Sequence, residues 1–142
     1  MNHDRYDDDY LRAILTETRT IALIGASPKA IRPSHGVLGY LTAAGYETYP
    51  INPGIAGSQL FGRTVYARLA DVPVAIDMVD VFRNADAIGG VVDEVLALPV
   101  MPKVVWMQLG VRNDAEAERL EARGIKVVMD RCPAIERPRL VR

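Results

Sequence analysis

The stretch Thr20-Ile21-Ala22-Leu23-Ile24-Gly25-Ala26-Ser27 decides the fold of this chain. Its first five residues are apolar or β-branched and uncharged, which is typical of a strand buried on both faces of a parallel sheet. A glycine directly after such a strand permits a tight turn, and the small residues after it let backbone N–H groups approach a ligand closely. The pattern therefore predicts the opening strand of a parallel sheet, with a phosphate-binding loop at its end.

The segment after this loop has the spacing of a helix. We expect Ser34 to cap a helix that runs to about Ala44, because Val37, Tyr40 and Leu41 follow the i, i+3, i+4 rule. The free N–H groups and the positive dipole end of that helix then face the loop. An ordinary turn remains the alternative for this loop, since the full G-x-G-x-x-G spacing is absent.

Composition narrows the class of protein. The chain has 142 residues, of which 49% are hydrophobic and 25% charged, with a formal net charge of −1, so we expect one globular domain. Nucleic-acid binding is not expected without a basic surface. No stretch approaches the roughly 20 apolar residues of a membrane span, and residues 1–5 do not resemble a signal peptide.

The cysteine and histidine content bears on the cellular compartment and on metal binding. Cys132 is the single cysteine, which fits a reducing compartment, and we expect a cytoplasmic protein. Only His3 and His35 accompany it, so no metal site can be assembled from spaced soft ligands.

Strand and helix patterns alternate from end to end, which predicts an α/β fold. An acidic run, Asp7-Asp8-Asp9, opens the first helix, a further helix starts near Asn84, and Asn113 begins another that Gly124 closes. Besides the opening strand, we predict strands at Thr48–Ile51, Val74–Val81, Val104–Leu109 and Val127–Met129, and a short edge strand near Val65. Right-handed crossovers then give a three-layer, Rossmann-like, doubly wound parallel sheet of about five strands in the order 3-2-1-4-5.

Cations follow four of these strands. In doubly wound sheets, ligands bind outside the carboxyl ends of the strands, so one rim of a near-neutral protein would collect positive charge and favour a polyanionic ligand. The alternative is that some of these cations pair with neighbouring acids such as Asp80, Asp114 or Asp130. The cations are Lys29, Arg32, Arg83, Arg112 and Arg131.

The second strand ends without an acidic residue. NAD-binding folds usually place Asp or Glu there to hold the ribose hydroxyls, and this chain has Asn52-Pro53 instead. A ribose that carries a phosphate is then not repelled, which disfavours NAD and favours phosphorylated adenosines.

Five motifs, in order, resemble those of the small stand-alone CoA-binding domain proteins, which are related in fold to the CoA-binding domain of the succinyl-CoA synthetase α subunit. The resemblance covers about Ile21 to Leu140. The motifs are Gly25-Ala26-Ser27-Pro28 with Arg32-Pro33-Ser34 and Gly36-Val37; Tyr49-Pro50-Ile51-Asn52-Pro53; Asp77-Met78-Val79-Asp80-Val81-Phe82-Arg83; Trp106-Met107-Gln108-Leu109-Gly110; and Val128-Met129-Asp130-Arg131-Cys132-Pro133.

The resemblance implies that residues of these motifs hold different parts of CoA. Gly25, Ser27, Arg32 and Ser34 hold the pyrophosphate, Asn52 and Pro53 border the adenosine, and Phe82 with Arg83 closes the other side of the groove. Gln108-Leu109-Gly110 lines the path to the pantetheine thiol, and Ala26, Lys29, Pro33 and Cys132 complete the candidate cofactor-binding set. His35 replaces a tyrosine that is usual in the family.

No catalytic constellation stands out. Asp77 and Asp80 lie three apart on a strand and point to opposite faces, so we expect them, like Asp130, to accept hydrogen bonds from backbone N–H groups or an arginine. A Ser-His-Asp order and a P-loop are both missing. We hypothesise that Cys132 exchanges with CoA disulfide to form a mixed disulfide; an inert, half-buried cysteine is the alternative.

The sequence thus predicts a CoA- or acyl-CoA-binding protein, a sensor, carrier or subunit rather than an enzyme. A homodimer is the assembly that we consider for such a small domain. Two other classes stay open: an NAD(P)-binding oxidoreductase-type domain, and a CoA-dependent redox enzyme acting through Cys132.

Overall fold

A computed structural model describes residues 1–142. The helices are α1 (Asp8–Glu17), α2 (Pro33–Ala43), α3 (Ile88–Leu96), α4 (Asp114–Glu121) and α5 (Pro133–Leu140). The strands are β1 (Thr20–Ile24), β2 (Glu47–Ile51), β3 (Gln59–Leu60), β4 (Arg63–Thr64), β5 (Met78–Val81), β6 (Val104–Met107) and β7 (Lys126–Val128). Short 3₁₀ turns lie at Pro53–Ile55, Leu69–Asp71 and Ala85–Ala87.

Five strands form one parallel sheet with helices on both faces, as the sequence predicts for a three-layer, Rossmann-like fold. The predicted order of its strands, 3-2-1-4-5, is wrong in one respect. The order is β2-β1-β5-β6-β7, so the third strand of this sheet lies beside the first strand and not outside the second. The position outside β2 is occupied instead by a single parallel bridge between Ile51 and Tyr66, just after the small β3–β4 hairpin.

The two faces of the sheet bury separate apolar clusters. One cluster packs α1, α2 and α5 against Leu23, Trp106 and Val128, and the other packs α3 and α4 against Val79 and Val105. Alternate residues of each strand point to opposite faces, so β1, β5, β6 and β7 contribute to both clusters, whereas β2 contributes Tyr49 and Ile51 to one. This double burial requires mostly apolar strands, and within β1, β5 and β6 the one charged residue is Asp80 of β5.

Several local predictions need correction. Ser34 does not cap α2: the helix begins one residue earlier at Pro33, whose fixed φ suits the first helical position, and Arg32 occupies the cap without a side-chain hydrogen bond. The third strand of the sheet is shorter than predicted, since only Met78–Val81 pairs with β1. The sequence also missed α5, because Cys132-Pro133 looked like the end of a strand but Pro133 is the first residue of a helix.

Helix α5 packs against α1 at the back of the sheet. The Arg12 Nε donates to the Leu140 carbonyl oxygen (3.0 Å), and the Arg139 guanidinium bonds the Asp8 carboxylate (2.8 Å). The Tyr10 hydroxyl donates to the carbonyl of Val127 (2.9 Å). Helix α1 is thus held by the last strand and the last helix. No helix in the structure combines the length and apolar character that a membrane span requires.

Replacing Gly25 by alanine is expected to destabilise the protein more than replacing Gly45 by alanine. Both residues have positive φ angles (89° and 103°), so both substitutions carry a backbone strain of about 1–2 kcal/mol. A Cβ at Gly25 would also lie 2.4 Å from the Phe82 carbonyl oxygen, whereas one at Gly45 meets nothing within 4 Å. Urea unfolding of both variants measures the difference. Equal losses would show that the approach of Phe82 to Gly25 is unimportant.

Candidate functional site

The cavity of interest opens at the carboxyl ends of β1, β5 and β6. It has a volume of about 500 Å³ and lies where the chain crosses from one side of β1 to the other, the usual ligand position in doubly wound sheets. Its walls are Gly25, Ala26, Ser27, Arg32, Pro33, Ser34, Asn52, Phe82, Arg83, Asn84, Gln108, Leu109 and Val111. We call this cavity the groove. A second cavity of about 410 Å³ lies at the amino ends of the strands, where Lys103 faces Asp77.

The loop after β1 presents fewer free backbone donors than the sequence suggested. Both Gly25 and Ala26 donate their N–H groups to the Ile51 carbonyl oxygen (3.1 and 3.2 Å). The free N–H groups near the groove are those of Ser27 and Ser34, which have no hydrogen-bond partner. Pro33 has no N–H and the His35 N–H bonds the Arg32 carbonyl (3.0 Å), so the first turn of α2 offers the Ser34 N–H and a positive dipole end to the groove.

The predicted ring of cations is only partly present. Arg32 and Arg83 line the groove, are exposed and make no ion pair, and Lys29 is likewise exposed and unpaired. Arg112 is instead held by Asp114 and Asp4 (2.8 Å each), and the Arg131 guanidinium donates to the Asp130 carbonyl and lies over the Tyr6 ring. Two unpaired arginines thus remain at the groove for an anionic ligand.

Four predicted residues lie outside the groove lining. Lys29 and Pro53 are exposed on flanking turns, and Gly110 donates its N–H to the Asp130 carboxylate (2.7 Å). Cys132 is 6% exposed and packs into the core cluster beneath α1, α2 and α5, so the structure does not bring its thiol to the groove. The sequence analysis missed two lining residues, Asn84 and Val111. They follow the predicted strand ends, Val81 and Leu109, by three and two residues, and this position after a strand is the signal that could have identified them.

Asn52 holds the loop in place from the end of β2. Its side-chain Nδ2 donates to the Ala26 carbonyl (2.8 Å), and its Oδ1 accepts the N–H of Gly54 (2.8 Å). This amide therefore takes the place of the carboxylate that would hold a ribose diol, and it joins two segments of the groove wall. No negative charge stands at this position.

Comparison with known proteins identifies the family. The model of the CoA binding domain matches residues 19–138. The chain belongs to the CoA binding domain family. It is 34% identical over 122 residues to the uncharacterized protein YneT of Bacillus subtilis (strain 168), covering 86% of this chain and 87% of that protein.

Solved structures of similar sequence share the whole fold. A protein of Thermus thermophilus, cell-free ID.343, is 41% identical with a TM-score of 0.89, over 95% of this chain and 99% of that one. A hypothetical protein of Pyrococcus horikoshii OT3 is 33% identical with a TM-score of 0.90, over 100% and 97% of the two chains. The resemblance inferred from the sequence is thereby confirmed at the level of the CoA binding domain family and its fold.

His35 ties α2 to the loop after β1. Its Nδ1 lies 2.8 Å from the Ser27 carbonyl oxygen, and a carbonyl only accepts, so Nδ1 carries the proton. The ring also packs on Phe61 from the β3–β4 hairpin, with centroids 4.8 Å apart. His35 thus fixes the carbonyl side of the loop at Ser27, and the Ser27 N–H is left without a partner.

The three carboxylates noted in the sequence have different environments. Asp77 accepts the N–H groups of Arg19 and Thr20, and Asp130 accepts that of Gly110, as predicted. The same prediction is wrong for Asp80, which is 0% exposed and has no hydrogen-bond partner on either oxygen. Its burial raises the pKa of the Asp80 carboxyl well above the ordinary value, so we treat it as a neutral acid.

Asp80→Asn is expected to stabilise the protein at neutral pH and not at low pH. In the unfolded chain Asp80 ionises above about pH 4, whereas in the folded protein it stays protonated to a higher pH. The wild-type free energy of unfolding therefore falls, by up to about 1.4 kcal/mol per pH unit, as the pH rises above the unfolded value. Asparagine does not titrate, so the advantage of the variant grows over the same range.

Urea unfolding of both proteins between pH 4 and pH 8 measures this difference. Asp77→Asn is the matched control, because Asp77 is hydrogen-bonded at the surface. A constant difference between wild type and Asp80→Asn across this range would contradict a neutral Asp80.

Proposed function

We propose that the protein is a cytoplasmic CoA- or acyl-CoA-binding protein that acts as a sensor, carrier or subunit without catalysing a reaction of its own. The observation that carries this proposal is the pair of unpaired arginines, Arg32 and Arg83, beside an uncapped helix N-terminus in a member of the CoA binding domain family. Together these groups offer charge-assisted hydrogen bonds to phosphate oxygens.

The groove has a different character on its two sides, which matches the two parts of the proposed ligand. The side formed by Ser27, Arg32 and Ser34 supplies hydroxyls, free N–H groups and a cation, and it suits the pyrophosphate. The side formed by Phe82, Gln108 and Leu109 is largely apolar with one amide, and it suits the pantetheine arm. Asn52 and Pro53 would border the adenosine.

The absence of a catalytic role is proposed from the positions of the reactive groups. Cys132 is buried away from the groove, and Asp77 and Asp130 are engaged by backbone N–H groups. Asp80 is fully buried, and this burial raises the pKa of its carboxyl well above the ordinary value. The imidazole of His35 is used to hold the loop, so the groove has no nucleophile paired with a base.

The ligand class is tested by thermal unfolding with CoA, acetyl-CoA, dephospho-CoA, NAD, NADP and ATP at matched concentrations. A ligand at 100 times its Kd adds about 2.7 kcal/mol to the free energy of unfolding and raises Tm. We expect CoA and acetyl-CoA to stabilise the protein and dephospho-CoA to do so less. A response to NAD or NADP alone would refute the proposal and favour an oxidoreductase-type domain.

Arg32→Ala is expected to weaken CoA binding by about 10- to 100-fold, because it removes a charge-assisted hydrogen bond to phosphate worth about 1.5–3 kcal/mol. Binding of pantetheine, which has no phosphate, should be unchanged. Arg112→Ala is the matched control, since that guanidinium is held by Asp114 and Asp4 outside the groove. Isothermal titration of the three proteins measures these affinities, and an equal loss for CoA and pantetheine would exclude a phosphate contact.

A further inference from the structure

Two buried polar side chains, one of which lines the groove, have oxygen atoms without hydrogen-bond partners. They are the Asp80 carboxyl, through both oxygens, and the Gln108 side-chain oxygen Oε1. No other buried side-chain nitrogen or oxygen in the protein is without a partner. Buried polar groups without partners are costly and rare, so two in one place call for an explanation.

The strand register places both groups on the same face of the sheet. Asp80 pairs with Leu23 on one side and with Trp106 on the other, and both neighbours belong to the cluster under α1, α2 and α5. Gln108 follows Trp106 by two residues, and its N–H continues the ladder to the Val81 carbonyl (3.2 Å). Side chains two apart on a strand point to the same face, so Gln108 lies one layer above Asp80, toward the groove.

The spacing of these positions allows the two groups to meet. Strands lie about 4.8 Å apart and two residues rise about 6.6 Å, so the two Cα atoms are about 8 Å apart diagonally. The side chains of aspartate and glutamine span such a gap directly or through one water molecule held by both. A neutral Asp80 carries an O–H that can be donated upward, and Leu23 and Trp106 offer it no acceptor side chain.

The Gln108 amide is also asymmetric with respect to the groove. The residue is 7% exposed and lines the groove, yet of its two amide atoms only the oxygen is buried without a partner. The oxygen therefore faces the interior, where Asp80 lies, and the nitrogen is left for the groove. An amide held in this orientation presents N–H donors to a ligand.

We propose that Gln108 donates an amide N–H to a carbonyl oxygen in the arm of the bound ligand, and that the Asp80 carboxylic acid is the positioning residue that fixes the direction of this amide. The inference rests on the proposed function, and it names the part of the ligand that this side of the groove recognises: an amide or thioester carbonyl, not the nucleotide. Phe82 and Leu109 supply the apolar walls beside the donor.

The experiment compares two ligands by isothermal titration: CoA, and adenosine 3′,5′-bisphosphate, which lacks the arm. Gln108→Met removes the amide with little change of volume, and we expect it to weaken CoA binding by about 3- to 10-fold, the range of one neutral hydrogen bond. Gln108→Glu keeps an acceptor and loses the donor, so it should weaken CoA binding at least as much. Both variants should bind adenosine 3′,5′-bisphosphate as the wild type does, which also shows that they fold.

The role of Asp80 is tested in the same assay with two substitutions. Asp80→Asn retains an N–H donor and should keep CoA affinity, whereas Asp80→Val loses the donor and should weaken CoA binding as Gln108→Met does. The double variant Asp80→Val/Gln108→Met should bind CoA no more weakly than either single variant, because both remove the same interaction. Additive losses would assign Asp80 a purely structural role and contradict its positioning role.

The outcomes separate this inference from the proposed function. A wild-type protein that does not bind CoA overturns the proposed function and this inference with it. Wild-type binding of CoA that Gln108→Met leaves unchanged, or that Gln108→Glu preserves, overturns this inference alone. A loss of equal size for CoA and for adenosine 3′,5′-bisphosphate shows that Gln108 acts on the nucleotide or on the fold, and it also overturns the inference.

Discussion

The close approach of Gly25 to the Phe82 carbonyl is the constraint on which the groove depends. These residues end β1 and β5, neighbouring strands at the point where the chain crosses from one side of the first strand to the other. With no side chain at Gly25, the two strand ends can lie against each other while their loops diverge above the sheet. This divergence leaves the groove, which Arg32 and Arg83 line from two different loops.

The sequence predicted the parts of the structure that depend on local chemistry. The apolar β-branched strands, the glycine at the end of the first strand and the Asn113 cap, whose side chain accepts the Glu116 N–H, were all readable from neighbouring residues. Most of the groove lining was also predicted, because ligand-contacting residues follow the strand ends in sequence. The family assignment depended on such short motifs in their right order.

What the sequence did not predict depends on contacts between distant segments. The predicted strand order was wrong because the place beside β2 is occupied by Tyr66, which pairs with Ile51. Arg112 was expected among the free cations, but Asp4, more than a hundred residues earlier, neutralises it. Cys132 follows a strand as the other site residues do, yet it begins a helix whose packing turns its side chain into the core. Tyr66 and Asp4 are not visible in a local window, whereas Asp114, the other partner of Arg112, is and was named as an alternative.

The contact between α1 and α5 has a consequence for how the chain acquires its structure. During synthesis α1 leaves the ribosome more than a hundred residues before the Val127 carbonyl, the Leu140 carbonyl and Arg139, the groups that hold it. Until then the apolar side of α1, with Leu11, Ile14 and Leu15, has no complete surface to cover. Segments more than a hundred residues later in the chain therefore complete the packing of α1. Long-range closure of this kind slows folding relative to a protein of local contacts.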